Sequence, residues 1–103
     1  MADNLKGIPF STEDEGETYP QMAKQIVYES AVRAGVQDEH PTFSVDEVYV
    51  VWFAYVLGYW KALCSTSLPD GRYYEVTYNR EKKIAFVDTY VKTVNEEVEV
   101  VAP

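Results

Sequence analysis

The ten residues from Val48 to Leu57, Val-Tyr-Val-Val-Trp-Phe-Ala-Tyr-Val-Leu, carry no charge and no turn-forming residue. A membrane-spanning helix needs about 20 apolar residues, so this run is too short to be one. Valine and aromatic side chains favour a pleated surface over a helix. Strict alternation along a strand gives one face Val48, Val50, Trp52, Ala54 and Val56, and the other Tyr49, Val51, Phe53, Tyr55 and Leu57. Both faces are apolar, the mark of a strand covered on both sides. The strand therefore needs a cover on each face.

One cover is a helix starting near Pro20, since proline is tolerated in a first helical turn. Ala23, Ile26, Val27, Ser30, Ala31 and Ala34 follow the spacing of one buried stripe. Gly35 suits the left-handed position that ends a helix. The acidic cluster Glu13, Asp14, Glu15 and Glu17 lies just before it, where the helix dipole is positive. Residues 36–44 form a connection containing Pro41.

After Leu57 the pattern is a succession of short strands. Gly58 and Tyr59 read as a turn, Trp60 to Ser67 as the returning strand, and Pro69-Asp70-Gly71 as a turn. Tyr73 to Tyr78 and Ile84 to Val91 are the third and fourth strands, joined by a polar turn from Asn79 to Lys83. Short links make neighbouring strands antiparallel. The expected fold class is α+β: one N-terminal helix packed on a four-stranded antiparallel meander sheet. The organisation is a mobile acidic arm (1–19), a single domain (20–95) and an acidic tail (96–103). Trp52 and Trp60 flank the first hairpin, and both are expected to be buried.

At 103 residues the chain is one domain's worth. Seventeen acidic residues against nine basic ones give a net charge of -8. That balance argues against a generic nucleic-acid coat or a binder of anionic membranes, both of which need Lys and Arg. The charge is uneven. Residues 1–47 hold ten acidic against three basic groups, whereas residues 48–95 hold six basic against four acidic. The N-terminus lacks the basic start and apolar core of a signal peptide. A lone cysteine, Cys64, forms neither an intrachain disulfide nor a cysteine-based zinc site, and suits a reducing cytoplasm.

Catalytic motifs are absent from the sequence. The five glycines are scattered, so no phosphate-cradling loop exists, and no Gly-x-Ser-x-Gly elbow occurs. His40 is the only histidine, and a loop position beside Asp38 and Glu39 favours exposure over chemistry. Cys64, in an apolar hairpin, reads as a small core residue. No catalytic, cofactor-binding or metal-binding residue is assigned, and the chain is not expected to be an enzyme.

The one compositional excess is aromatic: nine Tyr, four Phe and two Trp. Trp60, Tyr73, Tyr74 and Tyr78 lie among Lys61, Arg72, Arg80, Lys82 and Lys83, a mixture that also builds base-stacking platforms. The alternative for these rings is a core with polar ends at its rim, or a face for protein binding. The candidate interaction surface is Tyr49, Tyr55, Lys61, Arg72, Tyr73, Tyr74 and Tyr78.

The block from Trp60 to Asn79, with its Asp70-Gly71-Arg72-Tyr73-Tyr74-Glu75-Val76-Thr77-Tyr78-Asn79 string, carries a resemblance. Together with Val48-Tyr49-Val50-Val51-Trp52 and Val87-Asp88-Thr89-Tyr90-Val91-Lys92, it resembles an uncharacterised family of small phage and prophage proteins, a domain of unknown function. The likeness covers residues 46–95. In that family Asn79 is usually followed by glycine, where this chain has Arg80. The resemblance implies a phage origin and expression in the cytoplasm of a bacterial host. Two function classes follow. The first is a non-enzymatic accessory protein that binds a host or phage protein. The second is a single-stranded nucleic-acid-binding module using the basic aromatic sheet. One helix covers only one sheet face, so pairing into a homodimer is expected to cover the other, with strong curling of the sheet or docking of the arm or tail as the alternatives.

Overall fold

The computed structural model describes residues 15–102, with side chains from Thr18 onward. Helix α1 (Glu15–Arg33) is followed by a single turn, α2 (Val36–Glu39), and a 3-10 turn (Val45–Glu47). Four strands follow: β1 (Val48–Val56), β2 (Tyr59–Thr66), β3 (Arg72–Asn79) and β4 (Ile84–Val91). They form one sheet in the order β1-β2-β3-β4, every pair antiparallel. The α+β meander expected from the sequence is the fold.

Helix α1 starts five residues before Pro20, so the proline sits inside it, where it removes one backbone hydrogen bond. The remainder of the acidic arm, residues 1–14, lies outside the described residues. Met22, Ala23, Ile26, Val27 and Ala31 form the buried stripe; Ala34 is exposed. Gly35 ends the helix with φ 91, its N–H bonded to the Val32 carbonyl at 3.0 Å. The connection after it is not all loop. Val36 and Phe43 are buried, and Gln37 Nε2 donates to the Phe43 carbonyl at 3.0 Å and to the Tyr28 hydroxyl at 3.3 Å, which ties the connection to α1.

The stripe packs on Val48, Trp60, Ala62, Cys64, Tyr74 and Val76 from the sheet. Small residues in mid-sheet, Ala62 and Cys64, let the helix approach closely, while Trp60 fills the wider end. Trp60 is 2% exposed, as expected.

β1 does not alternate strictly. Val50 pairs with Cys64 and Trp52 with Leu63, leaving Val51 as an extra, bulged residue. Because side chains alternate with period two, one inserted residue exchanges the faces beyond it. Phe53 and Tyr55 therefore join Val48 and Val50 on the helix side, and Trp52, Ala54 and Val56 join Tyr49 on the other. The expected burial of Trp52 is thereby corrected: it is 43% exposed.

The first hairpin turns at Leu57-Gly58, one residue earlier than expected, with φ 51 and 87. Two positive φ values in a two-residue loop match the twist of the flanking strands. Arg80 Nη1 donates to the Leu57 carbonyl at 3.0 Å, tying this turn to the β3–β4 loop. The turn before β3 is held by Asp70 Oδ1, which accepts from the Arg72 N–H at 3.1 Å. After β4 the chain runs on without helix or strand through residue 102.

Candidate functional site: an uncovered aromatic sheet face

The face of the sheet turned away from α1 has no cover among the described residues. Its side chains follow from the pairing register. One cross-strand row is Tyr49, Ser65, Tyr73 and Tyr90. The next is Trp52, Leu63, Glu75 and Asp88, and the third Ala54, Lys61, Thr77 and Phe86. Val56 and Tyr59 on one side, and Asn79 and Ile84 on the other, close the end.

Ala54 is the smallest side chain of β1, and it lies between Trp52 and Val56 on this face. The surface dips there into an open trough of about 460 Å³, walled by Trp52, Val56, Tyr59 and Phe86 and floored by Ala54 and Lys61. The Lys61 ammonium pairs with Glu75 Oε2 at 3.1 Å. The Tyr90 hydroxyl donates to Glu75 Oε1 at 3.0 Å. Hydrogen bonds from Lys61 and then Tyr90 hold the Glu75 carboxyl below its usual range. The same bond to Glu75 raises the Tyr90 phenol. In water such a pair contributes little to stability, but it fixes the polar centre of an otherwise apolar face. The paired rows of the face carry Lys61, Glu75 and Asp88, and Lys92 continues the β4 alternation one step beyond Tyr90.

The seven candidate interaction residues divide between the two faces. Tyr49, Lys61 and Tyr73 lie on the open one. Tyr74 is not a surface residue: it is 3% exposed and packed in the core, where burial raises its phenol. Tyr78 also lies under the helix side, stacked on Trp60 with ring centroids 5.5 Å apart. The bulge puts Tyr55 on that side too, stacked on Tyr19 at 5.5 Å. Arg72 alternates with Tyr73 away from the open face, and with Gly35, His40 and Asp70 lines a small cleft of about 130 Å³. Arg80, Lys82 and Lys83 stand in the β3–β4 loop. The rings and cations of the envisaged base-stacking platform are thus not gathered on one surface.

Trp52, Val56, Tyr59, Phe86 and Tyr90 belong to the open face but lie outside the candidate interaction surface expected from the sequence. The alternation Ile84, Phe86, Asp88, Tyr90 in β4 was the signal for two of them. The other three depended on the bulge and the turn position, which the local sequence does not mark.

Cys64 is fully buried, and burial pushes its thiol up to about 11, so it stays protonated and unreactive near neutrality. His40 sits in the connection, its backbone N–H bonded to the Val36 carbonyl at 3.0 Å. No cluster of three or more His, Cys, Asp or Glu side chains among the described residues is arranged to hold a metal ion. No helix among them is long and apolar enough to cross a membrane.

No curated protein and no solved structure matches the chain. The pattern of a family of unknown function, DUF6275, matches residues 20–100, which takes in most of α1, all four strands and the start of the tail, and the chain therefore belongs to that family.

Proposed function

We propose that this chain is a small acidic phage accessory protein, non-enzymatic, that binds another protein in the cytoplasm of a bacterial host through the open sheet face. The observation that carries the reading is the aromatic-walled trough on that face. Trp and Tyr side chains held on a rigid sheet are what interface hot spots are made of. A single ion pair at the centre gives such a surface orientation as well as adhesion. The phage origin rests on the resemblance carried by residues 46–95.

The face supports a protein partner over a nucleic acid. Lys61 is already paired with Glu75 and Asp88 adds a further anion, so the paired rows of the face offer no unopposed cation, whereas affinity for nucleic acid depends on neutralising phosphates. Freshly purified protein is expected to show the absorbance ratio of protein alone.

The test is capture of a partner from host lysate, with and without infection, by the tagged chain and by Trp52→Glu. Trp52 is half exposed, so the charge is expected to abolish capture while circular dichroism stays unchanged. Capture that survives the substitution would remove the face from function, and co-purifying nucleic acid would replace the reading with its alternative.

A further inference from the structure

We infer that the occupant of the open face is a second copy of this chain, packed sheet on sheet about a two-fold axis. The inference rests on the reading of that face as a protein-binding surface: the second copy holds it until a foreign partner displaces it.

Area is the first argument. Tyr49, Trp52, Tyr59, Phe86 and Tyr90 are each 40–51% exposed on one face. At roughly 200 Å² per aromatic side chain they alone present about 500 Å². Val56, Leu63, Tyr73 and the stem of Lys61 extend the same patch. A stable interface takes about 800 Å² from each partner, and contiguous apolar patches above a few hundred Å² mark interaction sites. One sheet face meets that requirement when an identical face is laid on it.

Complementarity is the second. A two-fold axis running along the strands, midway between the sheets, lays β1 of one copy over β4 of the other, and β2 over β3. Sheets packed this way align within about 30° and lie about 10 Å apart. Phe86 of the partner subunit then stands over Ala54, the low point of the trough, and the exchange is reciprocal. Lys61 lies over the partner's Thr77, one row from the partner's Glu75. Each lysine faces two carboxylates, its own and its partner's, so the charges at the centre match across the axis. Self-complementarity of this kind is what an isologous interface requires.

The test is sedimentation velocity or light scattering of the full chain across the micromolar range. The expected mass is twice that of one 11.8 kDa chain. Phe86→Glu, at a half-exposed position, is expected to weaken self-association by roughly 30-fold or more, the scale of a hot-spot loss, without changing circular dichroism. Val98→Glu, in the exposed tail, is expected to leave it unchanged. A second pair of variants reads the register. Lys61→Glu and Glu75→Lys each set like charges against their own copy, and are expected to associate on mixing more tightly than either does alone. A single-chain mass throughout overturns the inference. So does a dimer indifferent to Phe86→Glu, which would place the interface elsewhere, for instance at the free edge of β1. If the chain is a monomer but Trp52→Glu still abolishes capture of a foreign protein, the second copy is rejected and the binding surface stands. If the dimer forms and capture survives Trp52→Glu, only the capture reading falls.

Discussion

Trp60 packs against three rings, Tyr78, Phe53 and Tyr19, with centroids 5.5, 5.7 and 5.9 Å away. Its indole N–H is buried without a hydrogen-bond partner among the described residues. The side chain is therefore valued for its ring and not for its polar atom. Trp60→Ala is expected to cost about 3–5 kcal/mol, the range for a truncated core aromatic. Trp60→Phe removes an N–H that satisfies nothing and is expected to cost much less. Trp52→Ala, at a half-exposed site, is expected to cost roughly 1 kcal/mol, since much less area leaves water there. Urea denaturation of the three variants, at concentrations low enough to keep the chain monomeric, checks the order, and equal losses for Trp52 and Trp60 there would contradict the assignment of faces. The sequence placed Trp60 correctly because its strand and its neighbours are apolar. It placed Trp52 on the wrong side of the same sheet.

The reason lies in β1. Its composition announces a strand, and nothing in Val-Tyr-Val-Val-Trp announces that Val51 will be skipped by the ladder. Valine is as good a strand residue as its neighbours. The bulge reconciles two demands, that Val48 and Val50 face the core and that Phe53 and Tyr55 do so as well. The turn that follows shows a local cost. Leu57 holds φ 51, a left-handed conformation that costs a residue with a Cβ about 1–2 kcal/mol. Its side chain is 75% exposed and contributes little packing. Leu57→Asn, which makes the favoured Asn-Gly pair, is expected to raise stability by about 1 kcal/mol, readable as a higher thermal midpoint. An unchanged or lower midpoint would mean that the Leu57 side chain makes stabilising contacts that asparagine cannot replace. Gly35, Asp70 and Gly71 behave as their types indicate, because each meets a purely local geometric need.

At the scale of the molecule there are two layers, a helix and a sheet. The radius of gyration of 15.3 Å exceeds the about 13 Å of a compact 100-residue domain. The tail beyond Lys92 contributes to that excess: Val94, Val98, Val100 and Val101 are 68–89% exposed. The last tie to the sheet is the Lys92 N–H, which donates to the Gly71 carbonyl at 2.7 Å. Deleting residues 93–103 is expected to change the unfolding free energy by no more than about 0.5 kcal/mol, the scale of neutral surface changes. A loss of several kcal/mol would show that the tail covers part of the sheet in solution.

Element order and antiparallel pairing were legible in the sequence, because helical and strand periods, glycines and Asx turns act over a few residues. So was an apolar character on both faces of β1, since no residue from Val48 to Val56 carries charge. Which aromatic side chains would stand on the open face was not legible. That depended on one bulged residue and on where a two-residue turn fell, and both are settled by pairing with β2 and by packing under α1. Side-chain direction in a sheet has period two, so a single inserted residue moves everything after it to the other face. Local sequence sets the elements of this protein, and the cross-strand register decides on which face of the sheet Trp52 and Phe86 stand.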